Sequence, residues 1–167
     1  MAEQETIYSG KGKYGGFFDF AEFYKFCFDY LSDEIGLNMV EKKYAEKLEG
    51  DTKKIDIEWA GSKKLSDYFK FDIKVKFQII GLQKVEINQG GAKISTNKGT
   101  VETSVSGSLV RDYQGKFETS AFNKFLRSIY EKWVITSRVD EMEGYVFGKS
   151  EEFINQVKAW LDLEGKK

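Results

Sequence analysis

The feature that most constrains this chain is a strict alternation of apolar and polar residues between positions 69 and 79. The apolar positions are Phe69, Phe71, Ile73, Val75, Phe77 and Ile79, and every residue between them is polar or charged. Because successive side chains of a β-strand point to opposite faces, a period of two predicts a strand with one buried and one solvated face. Such a strand is typical of an antiparallel sheet.

A weaker alternation continues across residues 53–113 and predicts a block of about five strands. Gly90-Gly91 and residues 97–99 (Asn-Lys-Gly) have the composition of hairpin turns. Gly81 predicts a bend or an end of its strand, and Gly107 predicts a bulge or bend. The sequence therefore predicts a meander of hairpins rather than parallel strands joined by helices.

Helical patterns flank the strand block. Residues 17–35 predict an N-terminal helix that follows a short strand at 6–9, and this helix is crowded with aromatic side chains. After Gly115, either Thr119 or Ser120 can cap a helix with one apolar face. That face holds Phe122, Phe125, Leu126, Ile129, Tyr130 and Trp133. One or more further helices fill the C-terminal end of the chain.

The segment 37–49 fits two structures equally well. Its apolar spacing is helical, with a capping-box pattern at its start, yet it can also be a strand that turns at Gly50-Asp51.

Together these patterns predict an α+β fold in a single domain over residues 1–167, with a polar tail at 1–5 and a charged tail at 164–167. An antiparallel sheet of five or six strands packs against the aromatic N-terminal helix and a long C-terminal helix or helices. This element order resembles the helix-grip arrangement, in which a curved sheet wraps a long C-terminal helix.

Composition narrows the possible functions. The chain has 26 basic and 27 acidic residues, no histidine, no proline and one cysteine. The even charge balance argues against nucleic acid as a partner, and the lack of histidine removes the commonest general base and metal ligand. We therefore expect a non-catalytic protein without cofactor or metal. With no long apolar run, we expect no transmembrane segment and a soluble, cytoplasmic protein.

The first functional hypothesis is a pocket for an apolar or amphipathic small molecule between the sheet and the helices. Its predicted lining is Phe23, Phe26, Cys27, Phe71, Val75, Phe77, Phe125, Ile129 and Trp133. The same side chains would form an ordinary core if no pocket exists.

Two alternatives remain. The aromatic helix 17–35 can serve as a protein-interaction or self-assembly module, for example in a homo-oligomer. Gly10, Gly12 and Gly15 match the G-x-G-x-x-G spacing of a nucleotide-binding loop, which would make the protein a nucleotide-dependent enzyme. The strand block lacks the crossover helices that such a site requires. Finally, residues 111–113 (Arg-Asp-Tyr) predict a buried ion pair or polar site at a strand end.

Overall fold

The computed structural model of the protein describes residues 3–115 and 120–165. In chain order the elements are β1 (Glu3–Phe18), α1 (Phe20–Asp29), β2 (Asn38–Glu49), β3 (Thr52–Lys64), β4 (Phe69–Gln89), β5 (Ala92–Arg111), α2 (Ala121–Ile129) and α3 (Thr136–Gly165). One π-helical turn extends α1 over Tyr30–Glu34, and another extends α2 over Tyr130–Val134. The α+β class and the single domain are confirmed.

The five strands form one antiparallel sheet in the order β1-β5-β4-β3-β2. The last four strands make a meander, and β1 returns to pair with β5, so that Glu3 lies opposite Arg111 and Phe18 lies opposite Asn97. α3 packs across one face of the sheet, chiefly on β1 and β5. α1 covers the same face, where its Phe28 contacts Trp59 of β3.

The core lies between this face of the sheet and the two helices. All six apolar residues of the 69–79 alternation are buried, which confirms that strand. α1 and its π-helical turn add Phe23, Cys27 and Leu31, and α3 adds Val146, Phe153 and Val157, among others. Burial of large apolar side chains on both layers is the main force that holds the helices to the sheet.

Several boundaries differ from the sequence prediction at the N-terminus. The expected polar tail joins β1 from Glu3 onward, and residues 10–16, expected to be a loop, continue the same strand. Glycine and lysine disfavour strands, so the local sequence conceals this element. Pairing with residues 99–105 of β5 overrides this local preference, because it gives hydrogen-bond partners to the backbone N–H and C=O groups along one edge of β1.

The predicted turn at 97–99 is wrong, because these residues continue β5. Asn97 instead accepts a hydrogen bond on its Oδ1 from the backbone N–H of Phe20, at 3.0 Å. Opposite Gly99, β4 carries a bulge between Ile80 and Gln83. Gly81 provides the positive φ of 68° that this type of bulge requires. The bend predicted at Gly81 is therefore present, and the hairpin at Gly90-Gly91 is confirmed.

The remaining segments resolve the open alternatives. Residues 38–49 form a strand. α1 begins at Phe20, because Asp19 caps it by accepting a hydrogen bond from the backbone N–H of Glu22. Ser120 caps α2 in the same way, whereas Thr119 lies outside the described residues. At the other end, the expected charged tail is helical up to Gly165.

Gly107 of β5 is in close contact with α3. A Cβ atom at this position would overlap the Oγ of Ser150 and lie 3.4 Å from a methyl group of Val146. The bulge predicted at Gly107 lies instead on its neighbour β1, between Thr6 and Tyr8. Ser150 is fully buried, and its hydroxyl finds no hydrogen-bond partner among the described residues.

We expect Gly107→Ala to destabilise the protein by about 1–3 kcal/mol, because the added methyl group overpacks this contact. Ser150→Ala should recover part of that loss in the double variant, since it removes the overlapping oxygen. Urea unfolding measures both changes. Gly144→Ala is the control, because Gly144 is exposed on α3 and nothing lies within 4 Å of a Cβ atom there. This change should stabilise the helix by about 1 kcal/mol. Equal losses in the Gly107 single and double variants would contradict this explanation.

Candidate functional site

The structure separates the predicted pocket residues into two groups. Phe23, Cys27, Phe71, Val75 and Phe77 come together, and each is at most 2% exposed within one continuous core. The rings of Phe23 and Phe77 meet edge to face at 5.4 Å, so these side chains pack directly on one another. Burial raises the pKa of the Cys27 thiol well above its usual range, which makes it a poor nucleophile.

The other group, Phe125, Ile129 and Trp133, lies on α2 and is exposed to solvent. The prediction that these residues line a pocket with the sheet is therefore wrong. The physical reason is that α2 turns its charged side, rather than its apolar side, towards the rest of the domain, as described below.

Phe26, the ninth predicted residue, borders a groove of about 560 Å³ between α1 and α3. The groove is lined by Glu22, Lys25, Phe26, Asp29, Tyr30, Asp33, Glu34 and Trp160. Seven of these eight residues come from α1 and its π-helical turn, where a spacing of three or four residues places side chains on one face. Trp160 of α3 forms the facing wall.

An aromatic stack forms one part of this groove. Phe26 and Trp160 lie nearly parallel, with ring centroids 5.7 Å apart and planes inclined by 15°. Phe23 of the core supports Trp160 from inside at 5.7 Å. Tyr30 extends the aromatic surface along the helix, at 6.1 Å from Phe26. Contact with core residues therefore fixes the orientation of the stack.

The rim of the groove is strongly acidic. Four acidic residues, Glu22, Asp29, Asp33 and Glu34, line the groove together with one basic residue, Lys25. In the sequence, Glu22, Lys25, Asp29 and Asp33 fall on one narrow polar stripe of the helix. Only the fold brings Trp160 beside it, across 126 residues of chain from Glu34.

Glu152 adds a further negative charge beside Tyr30. The Tyr30 hydroxyl donates a hydrogen bond of 2.6 Å to Glu152 Oε1. This bond, together with one from Lys149, lowers the pKa of the Glu152 carboxyl. Burial and the same carboxylate raise the pKa of Tyr30. At neutral pH, Glu152 is therefore ionised and Tyr30 keeps its proton, which leaves a neutral aromatic ring beside the acidic rim.

A network of charged side chains attaches α2 to the end of the sheet. Arg127 reaches Glu3 at 3.5 Å and the buried Asp112 at 4.0 Å. Glu131 lies 3.6 Å from Arg111 and accepts a hydrogen bond from the hydroxyl of Tyr68. The ion pair predicted for residues 111–113 is confirmed in this network.

The opposite face of α2 is apolar and points to solvent. Its members are Phe122 (66% exposed), Phe125 (59%), Leu126 (37%), Ile129 (38%) and Trp133 (73%). We call these five side chains the α2 surface. A contiguous row of large apolar side chains in solvent is uncommon in monomeric proteins.

The glycines of the nucleotide-loop hypothesis are not arranged as that site requires. Gly10, Gly12 and Gly15 lie within β1, opposite Val105, Thr103 and Thr100 of β5. A phosphate-binding turn leads directly into a helix N-terminus, but β1 continues to Phe18 before α1 begins. This geometry gives the hypothesis no support.

Comparison with known proteins does not assign the chain to a family. No protein-family model matches it, and no curated protein sequence is significantly similar to it. Within residues 3–115 and 120–165, no helix is both long and apolar enough to cross a bilayer. The acidic aromatic groove is therefore the feature on which a functional proposal rests.

Proposed function

We propose that this protein is a non-catalytic binding protein that holds an amphipathic organic cation in the groove between α1 and α3. The observation that carries the proposal is the stacked pair Phe26 and Trp160, bordered by four carboxylates in one open groove. The groove volume of about 560 Å³ falls within the range of roughly 300–1,000 Å³ that is usual for small-molecule sites.

The chemistry of the groove selects the ligand class. Aromatic faces attract a cation through their negative quadrupole, and they also cover the hydrocarbon part of a ligand. The carboxylates of Asp29, Asp33 and Glu34 then neutralise the charged head. An alkylammonium or a polyamine satisfies both requirements, whereas an anion meets repulsion from the acidic rim.

This proposal places the ligand beside α1 rather than between the sheet and the helices. Phe71, Val75 and Phe77 already pack in the core, so a ligand there would have to displace them. The self-assembly alternative for helix 17–35 has less support. Tyr24 and Phe28 of this helix contact Trp59 of the same chain at 5.1 and 5.4 Å, so both rings already pack within the domain.

Trp160→Ala should weaken binding of hexyltrimethylammonium by about tenfold, because it removes the cation–π partner and the apolar wall. Isothermal titration calorimetry measures the affinity, and circular dichroism confirms that the variant is folded. Trp160→Phe should keep most of the binding. Trp133→Ala is the matched control, since Trp133 lies on the α2 surface. Neutral 1-hexanol should bind much more weakly; equal affinity for the alcohol would contradict a cation site.

The double variant Asp29→Asn and Asp33→Asn should lower the affinity for the same cation about fivefold, because charge pairs open to solvent each contribute about 0.2–1 kcal/mol. Asp33 is exposed and Asp29 is half-buried. The loss should shrink at high salt, which already screens the carboxylates. Glu86→Gln, an exposed change on β4, is the control. An unchanged affinity in the double variant would show that the rim plays no part.

A further inference from the structure

The carboxylates of the groove form a row along α1. Glu22, Asp29 and Asp33 follow one another at intervals of seven and four residues, which are close to two turns and one turn, so these residues share one side of the helix. With a rise of about 1.5 Å per residue, Asp29 lies roughly 11 Å beyond Glu22, and Asp33 lies one turn of about 5 Å further. The negative charge is therefore spread along a line.

An aromatic wall runs beside this row. Phe26 and Tyr30 lie four residues apart on the neighbouring side of α1, and Trp160 stacks on Phe26. The π-helical turn Tyr30–Glu34 closes with a hydrogen bond of 3.0 Å from the backbone N–H of Ile35 to the carbonyl of Tyr30. Such turns occur frequently at functional sites. A ligand that lies along the groove therefore contacts apolar rings and carboxylates together.

Only one of the eight lining residues is basic. Lys25 lies three residues after Glu22 and four before Asp29, the spacings at which charged side chains of a helix meet. Its side chain is exposed, and none of the ion pairs in the described part of the chain includes it. Four carboxylates and one ammonium leave the lining with three net negative charges. Glu152 is balanced by Lys149, which lies 3.2 Å away.

We propose that the groove holds a linear polyamine with three ammonium groups, extended along α1. This inference rests on the proposed function, because it names the cation that the same groove binds. Spermidine has the required form, since it carries three amines separated by methylene chains and protonated at neutral pH like the amine of lysine. With bonds of about 1.5 Å, its terminal nitrogens lie roughly 11 Å apart. This length matches the separation of Glu22 and Asp29, and the methylene chains cover the rings.

Charge and length separate this ligand from other cations that fit the groove. A monocation neutralises one carboxylate and leaves its neighbours unpaired. A diamine with four methylenes spans only roughly 6 Å, so it reaches Asp29 and Asp33 but not Glu22 as well. A compact trivalent ion has the charge without the length. Lys25 supplies the fourth positive charge from the protein itself, and the ligand is therefore limited to three.

Isothermal titration calorimetry of the full chain at low salt compares spermidine with 1,4-diaminobutane, hexyltrimethylammonium and hexaamminecobalt(III). Spermidine should bind about fivefold more tightly than 1,4-diaminobutane, because it makes one more ion pair of the exposed kind. Hexaamminecobalt(III) has the same charge as spermidine but no apolar chain to cover the rings. It should bind about fivefold more weakly than spermidine.

Two variants test the row of charges. Glu22→Gln should weaken spermidine binding about fivefold and leave 1,4-diaminobutane binding nearly unchanged, because only the longer chain reaches both Glu22 and Asp29. Lys25→Gln should strengthen spermidine binding about fivefold, since it leaves one more carboxylate unpaired. Lys93→Gln is the matched control, because Lys93 is exposed on β5 outside the groove and the change in charge is the same. Circular dichroism confirms that each variant is folded.

The outcomes distinguish this inference from the proposed function. If hexyltrimethylammonium binds but spermidine binds no more tightly than 1,4-diaminobutane or hexaamminecobalt(III), the groove is a cation site and the polyamine assignment is wrong. Equal losses of both amines in Glu22→Gln, or equal affinities in Lys25→Gln and Lys93→Gln, would also overturn the assignment. If no cation of the series binds, the proposed function fails with it.

Discussion

The ring of Phe23 is the contact on which the arrangement of the layers depends. It meets Phe18 at the end of β1, Phe77 on β4 and Trp160 on α3, at centroid distances of 5.4 to 5.8 Å. One side chain of α1 therefore touches two strands and the long helix together. Aromatic pairs of this kind contribute about 0.5–1.5 kcal/mol each beyond their burial. Because Phe23 also contacts Trp160, a change in the packing of Phe23 would alter both the core and the wall of the groove.

α1 and α2 are held by different forces, and each force determines which face remains outside. Aromatic burial holds α1 and leaves a stripe of carboxylates on its outer side. Ion pairs hold α2 and leave an apolar face outside. Because Arg111, Arg127, Glu131 and Asp112 are at most 17% exposed, salt screens these ion pairs much less than pairs on the open surface. The two outer faces differ in chemistry.

Periodicity in the sequence predicted the strands and helices that bury one apolar face in the core. The alternation over 69–79 and the cap at Ser120 are both local signals, and both are confirmed. Periodicity also predicted the apolar face of α2, but it cannot show which side of a helix meets the domain. That choice depends on Arg111 and Asp112, which approach α2 only in the folded chain.

The sequence did not predict other features, because the local composition of these segments favours a different structure from the one that tertiary contacts impose. Asn97 belongs to a turn-like tripeptide, yet its side chain holds the start of α1. The glycines and lysines of β1 disfavour a strand, and β5 imposes it. Helical periodicity places the acidic residues of α1 on one side of the helix. It cannot predict that Trp160, from the far end of the chain, lies beside them.

The sheet order also has a consequence for how the chain folds. β2 to β5 are joined by successive hairpins, so their contacts are close in sequence. β1 instead pairs with β5 across about 80 to 108 residues of chain, from Phe18 opposite Asn97 to Glu3 opposite Arg111. Contacts of such separation require closure of a long loop and form slowly. We expect the meander to assemble first, with the edge of β5 open until β1 docks. The glycines and lysines of β1 suit this late step, because they disfavour intermolecular strand pairing before β1 docks on β5.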